Sequence, residues 1–132
     1  MELIKVKQKD LPEIKKELLK RQHGKCPISG RDLRSMTSAN VVVDHNHKTG
    51  VIRAALPRSI NGLEGKIKGL LTRWGSCTNE VEMIKMLEAI AEYWRLHRVP
   101  QTEWIHPTHL TPQEAREKAN AKARARYAAA KK

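Results

Sequence analysis

Phenylalanine is absent from the 132-residue chain, and aromatic residues make up only 4% of it. An aromatic core would have to rest on Trp74, Tyr93, Trp94, Trp104 and Tyr127, which is thin for one domain of this length and raises the expectation of a second copy completing it. Cysteine is scarcer still. Cys26 and Cys77 form neither a disulfide framework nor a zinc set, and both read as small buried hydrophobes. No apolar run approaches the length of a membrane span, and the chain is polar from Glu2 onward, unlike a secretory signal. These absences argue against a stapled extracellular fold and against membrane binding, and they lead to the expectation of a reducing cytoplasm.

Carboxylates are the remaining shortage. There are 14 Asp and Glu against 26 Lys and Arg, for a formal charge of +12. The surplus is uneven: +4 over residues 1–25, +5 over 26–75, −2 over 76–110 and +5 over 111–132. Such a field fits a polyanionic partner, and the third segment is the one that avoids it.

What the chain does have is concentrated between Val41 and Glu64. Val41-Val42-Val43 runs into Asp44-His45-Asn46-His47, then a Lys48-Thr49-Gly50 turn, then Val51-Ile52-Arg53. This predicts a β-hairpin with its chemistry at the bend, since an ordinary turn needs only Asp, Asn and Gly. Beyond it, Leu63, Ile67, Leu70 and Leu71 recur at helical spacing from about Ile60 to Thr72, with Asn61 near the start and Glu64 one turn later. A hairpin followed by a helix can bring Asp44, His45 and Asn61 to one point, offering a hard oxygen site for a divalent cation beside a titratable base.

This order resembles the HNH, or ββα-metal, nucleases. Asp44-His45-Asn46-His47, the run from Thr49 to Arg53 and the Asn61/Glu64 pair are similar to the phage recombination endonuclease VII family. The resemblance implies an α+β fold, mostly α, with a hairpin–helix core and flanking helices. It also implies Mg²⁺ or Mn²⁺ on Asp44 and Asn61, branched DNA as substrate, a homodimer with one site per strand, and the host bacterial cytoplasm as its place. Relatives carry a structural zinc on two Cys-x-x-Cys pairs. Here those positions read Cys26-Pro27-Ile28-Ser29 and Pro57-Arg58-Ser59-Ile60, so no structural zinc is expected, and Ile28, Pro57 and Ile60 are expected to close the space by apolar contact.

The flanks follow from caps and periodicity. Asp10 is expected to cap a helix, with Glu13 closing a capping box. Leu11, Ile14, Leu18 and Leu19 are its apolar face, Gly24 its end, and Lys15, Lys16, Lys20 and Arg21 point elsewhere. A lysine-rich face is either solvated or set against phosphates; Lys16 and Lys20 are the candidates for contact. Asn79 and Glu82 open the longest amphipathic stretch, through Val81, Ile84, Leu87, Ala91 and Trp94, which serves either as a core helix or as a subunit interface. Residues 98–110 read as an irregular connector. Thr111-Pro112-Gln113-Glu114 starts an alanine-rich basic helix that carries Lys118, Lys122 and Arg126 four apart, either a DNA-ordered tail or a solvated terminus. Three segments are therefore expected: 1–75 as helix plus nuclease core, 76–110 for dimerisation, and 111–132 as a basic tail.

Phosphodiester hydrolysis needs an activated water and compensation for charge on phosphorus and on the departing oxygen. His45 suits the general base, since neutral imidazole is available near physiological pH. His47 can donate to a nonbridging oxygen or be a plain turn histidine. Glu64 can orient a metal-bound water or join the ligands, and Lys48 and Arg53 are the nearest cations for phosphate. The expected activity is a metal-dependent DNA endonuclease resolving branched DNA. An HNH nickase of simple duplex and a non-catalytic DNA binder are the alternatives.

Overall fold

The computed structural model describes residues 1–131, and it is a mostly helical α+β fold. Helix α1 spans Leu11–Arg21, strands β1 and β2 span Val41–His45 and Ile52–Pro57, and helices α2, α3 and α4 span Arg58–Arg73, Glu80–Leu96 and Pro112–Ala130. The two strands form one antiparallel hairpin that runs directly into α2. The chain divides into two compact units, Met1–Ala89 and Ile90–Lys132, with the boundary inside α3. Among the described residues no helix is long and apolar enough to cross a membrane.

In the first unit the core is small and aliphatic. Cys26, Leu33, Val41, Ala55, Leu56 and Ile60 are buried together, with Leu18, Leu19, Met36 and Ala54 packed around them. The expected aromatic core is absent: Trp74, Tyr93, Trp94, Trp104 and Tyr127 are all more than 60% exposed. Leu18 and Leu19 come from the apolar face of α1, and Val41 and Leu56 from the hairpin. Cys26 and Leu33 come from a narrow loop closed by the Lys25–Asp32 bridge and by Leu33 N–H donating to Gly24 O. Gly24 has φ +71°, the left-handed conformation that lets α1 stop and turn into this loop.

Polar side chains of α1 fasten it to the sheet, contrary to the expectation that Lys15 points away. Lys15 Nζ donates to Ser38 O and Val41 O at 2.9 and 3.0 Å. Just beyond the helix, the Gln22 side-chain amide donates to Ala55 O and accepts from Ala55 N–H, at 2.9 and 2.8 Å. The start of α1 also differs from expectation. Asp10 turns back to accept from Lys7 N–H at 3.0 Å, and Glu13 pairs with Lys16 rather than closing a box.

Pro57 marks the strand–helix boundary as the last residue of β2 and the N-cap of α2. Gly62, Gly65 and Gly69 of α2 face open space rather than a closely approaching backbone. Asn79 caps α3 by accepting from Glu82 N–H at 2.9 Å, while the Glu82 carboxylate reaches one residue further back, to Thr78 N–H. No residue of α3 is buried, so α3 is not a core helix in this chain. In the second unit, Thr111 accepts from Glu114 N–H and opens α4 as its cap, and every described residue of α4 is exposed.

Candidate active site

The site begins at an irregularity in the hairpin. Asp44 pairs with Ala54 and His45 with Ile52, so Arg53 is an extra residue with no partner across the ladder. Such a bulge kinks the strand and re-aims the side chain it carries. Here it turns Arg53 onto Asp44, which is 5% exposed. Arg53 Nε donates to Asp44 Oδ2 at 2.7 Å and Nη2 to Oδ1 at 3.0 Å, a two-pronged pair that occupies both carboxylate oxygens. The same Nη2 lies 3.3 Å from Glu64 Oε2, which α2 delivers from its second turn. The guanidinium is held charged more firmly than usual: the Asp44 hydrogen bond raises its pKa, burial opposes this, and Glu64 adds to the rise.

At the bend the two imidazoles meet. The His45 and His47 rings are 4.8 Å apart between centroids, and both side chains are exposed. Asn46 between them has a structural part. Its Oδ1 accepts from Lys48 N–H and Thr49 N–H, its carbonyl accepts from Gly50 N–H, and Gly50 closes the turn at φ +75°. Lys48 stands exposed on that turn.

Of the candidate site residues, the structure brings together Asp44, Glu64 and Arg53, and pairs His45 with His47. Asn61 lies in the first turn and a half of α2, half-buried, and makes no side-chain hydrogen bond among the described residues. Arg53, a candidate for phosphate contact, pairs with both carboxylates in this structure. Nothing in the sequence marks the bulge that puts it there. Lys16 and Lys20 are exposed on α1, and Lys118, Lys122 and Arg126 are exposed on α4 of the other unit.

Two carboxylates that converge on one cation make a place built for positive charge, and oxygen donors of this kind suit a hard divalent ion. The residues therefore fit Mg²⁺ or Mn²⁺ by donor chemistry, with Asp44 the most enclosed of them. Among the described residues no three His, Cys, Asp or Glu side chains gather as a metal cluster, so the carboxamide of Asn61 and water oxygens would have to complete any shell.

Of the four positions where relatives are expected to hold zinc, Cys26 is 3% exposed, Ile60 is buried in the same cluster, Pro57 is buried and Ser29 is exposed. Ile28 does not join the buried residues. At 58% exposed, it lines an apolar groove between α2 and the first part of α3, with Leu63, Ile67, Met83, Ile84 and Leu87. The loop nonetheless aims backbone N–H groups at Cys26 Sγ, from Ile28 at 3.4 Å and Ser29 at 3.2 Å. Burial pushes this thiol's pKa up, but hydrogen bonds from Ser29, Ile28 and Gly30 outweigh it and leave the pKa lowered.

A second groove runs past the hairpin bend along α2, where His47, Lys48, Arg53 and Glu64 meet Gly65 and Gly69. The open space at those glycines leaves the groove unobstructed beside the ion-paired cluster.

Comparison with curated proteins found no match. A family model described as recombination endonuclease VII matches residues 2–96, which takes in the hairpin, α2 and α3.

Proposed function

Because the chain belongs to the recombination endonuclease VII family, we propose that it is a metal-dependent DNA endonuclease that resolves branched, Holliday-junction-like DNA as a homodimer. The observation that carries the reading is the bulged hairpin, which sets Asp44, Glu64 and a cation together beside the His45–His47 pair. A surface of strong positive charge supports a nucleic-acid substrate, since Lys and Arg gain affinity by releasing the counterions of phosphates. Base-reading elements are not apparent, which favours recognition by backbone and shape.

Asp44 and Asn61 would hold Mg²⁺ or Mn²⁺ through oxygen. When bound, such an ion supplies compensation for charge on the phosphoryl group and the departing oxyanion. His45 takes the proton from the attacking water, and its exposed place at the end of β1 leaves it free to reach substrate. His47, its ring 4.8 Å away and tilted to that of His45, donates to a nonbridging phosphate oxygen. Glu64 orients water, and Lys48 and Arg53 are the nearest cations for the flanking phosphates. Lys16 and Lys20 on α1 and Lys118, Lys122 and Arg126 on α4 extend the contact along the DNA arms.

Dimerisation finds support in α3. Val81 and Leu87 in the first unit and Trp94 in the second are 62%, 42% and 68% exposed, on a helix that is acidic in its first turn and has no buried residue. The test is a four-way junction against linear duplex of the same sequence, in Mg²⁺ and in chelator. Opposed cuts in the junction, much faster than cuts in duplex and stopped by chelator, are expected. Asp44→Ala and His45→Ala should bind the junction without cutting it. Equal cutting of linear duplex would replace the resolvase by a nickase, and tight binding in Mg²⁺ with no cutting would replace the enzyme by a binding protein.

A further inference from the structure

We propose that Arg53 is the resident counter-cation of this site: its guanidinium clamps Asp44 and Glu64 until a divalent metal takes its place, and it then turns to a phosphate of the DNA. The inference rests on the metal-dependent reading above and goes beyond it, by giving Arg53 a positioning role before substrate arrives.

The geometry leaves the metal no vacant edge on Asp44. Both oxygens of Asp44 are bonded by Arg53, at 2.7 and 3.0 Å, and the nearer oxygen of Glu64 lies 3.3 Å from the same Nη2. Asp44 is 5% exposed, so water does little to screen a second cation brought against it. A divalent ion added beside an unmoved guanidinium would therefore meet direct repulsion. Charge balance favours exchange over coexistence. Asp44 and Glu64 together carry two negative charges, which one guanidinium leaves half-neutralised and one divalent ion would neutralise in full. The released guanidinium then matches the single charge of a phosphodiester.

Arg53 is also placed to move away from Asp44. As the bulged residue it has no partner across the ladder, and its side chain is 32% exposed against 7% for that of Asp44. It borders the groove along α2, where the glycines leave open space for an incoming phosphate. A planar fork that grips a carboxylate grips a phosphate equally well. The two ligands are then coupled: metal frees Arg53 for phosphate, and phosphate draws Arg53 off the metal's carboxylates. By linkage each strengthens the other's binding.

The experiment is a calorimetric titration of the full chain with Mn²⁺, without DNA, for wild type, Arg53→Gln and Arg53→Lys, paired with thermal melting in chelator and in Mn²⁺. Arg53→Gln should melt below wild type in chelator, because two carboxylates lose their cation. It should bind Mn²⁺ at least tenfold more tightly, and Mn²⁺ should raise its melting temperature more than that of wild type. Arg53→Lys keeps the charge and loses the fork, so its affinity should fall between the two. If Arg53→Gln does not fold without metal, the Lys variant and the size of its Mn²⁺ shift decide. Equal or weaker Mn²⁺ binding by Arg53→Gln, with wild type binding normally, overturns the displacement and leaves the metal-dependent reading in place. Failure of every chain to bind Mn²⁺ at millimolar concentration overturns both.

Discussion

Replacing Leu56 by Ala tests whether burial alone holds the hairpin to α2. Leu56 is 2% exposed and packs in the cluster that includes Cys26 and Ile60, at the place where relatives are expected to use zinc. The change removes three carbons, worth ~2.4 kcal/mol at about 0.8 kcal/mol per buried methylene. Incomplete collapse of the resulting hole brings the total to about 3–4 kcal/mol. That is a large share of the roughly 5–15 kcal/mol by which domains are stable. With a urea dependence of about 1.5 kcal/mol per molar, the midpoint should fall by about 2 M at unchanged slope. Far-UV circular dichroism is the readout, because all three tryptophans are exposed and their emission would report the core poorly. The wild-type midpoint should be the same with and without chelator. A loss under about 1 kcal/mol, well below the range for such truncations, would refute the idea that this cluster carries the fold. So would a chelator effect as large as that of the mutation, which would show a metal at work there.

Neutralising α4 with Lys118→Gln, Lys122→Gln and Arg126→Gln should weaken junction binding and flatten its dependence on log salt by up to about 2.7, at roughly 0.9 per phosphate contact, while the cleavage rate at saturation stays the same. An unchanged slope in a filter-binding or anisotropy series would take α4 off the DNA. Wild type should sediment as a dimer at tens of micromolar, and Leu87→Asp should sediment as a monomer with unchanged circular dichroism; a monomeric wild type would count against an interface on α3. Cys26 carries a pH signature. Its thiol pKa is lowered in the folded chain, so its contribution to stability is present above the unfolded value of about 8.5 and is lost as pH falls through the folded value. The melting temperature of wild type relative to Cys26→Ser should therefore rise from pH 7 to pH 9.5, and a flat difference would remove the effect.

The sequence makes the hairpin legible because three β-branched residues end on a cluster too polar for a plain turn, and it makes α2 legible because its leucines and isoleucines keep a helical period. The caps at Asn79 and Thr111 were readable for a similar reason, since a short polar side chain just before a helix has a small choice of partners. What stayed hidden depends on tertiary placement. A ladder without a bulge would have given Arg53 a cross-strand partner, and no glycine or other local signal announces the extra residue. Lys15 looks like any solvent-facing lysine of an amphipathic helix; periodicity separates apolar from polar but cannot say that one amine meets a carbonyl 26 residues away. The aromatics misled because a tryptophan is buried only where another element covers it, and none covers Trp74. Asn61 was legible near the start of α2, but its position along a helix does not say what its side chain meets, and among the described residues it makes no side-chain hydrogen bond.

The fastening of α1 to the hairpin has a consequence for solubility. A two-stranded sheet has two outer edges, and exposed edge amides and carbonyls are templates on which another chain can add a strand. Both backbone groups of Ala55 face the Gln22 amide rather than β1, so the outer edge of β2 already has a partner in its middle. The next outward position is Pro57, which has no N–H to offer. On the other edge, the carbonyl of Val41 is taken by the charged amine of Lys15. One helix and its C-terminal turn thus shield both sides of the hairpin with side chains, neither of which can propagate a ladder. Fraying of α1 would uncover an adhesive Val-rich edge while the Asp44–Arg53 pair still stood, so this chain would begin to aggregate before its chemical centre came apart.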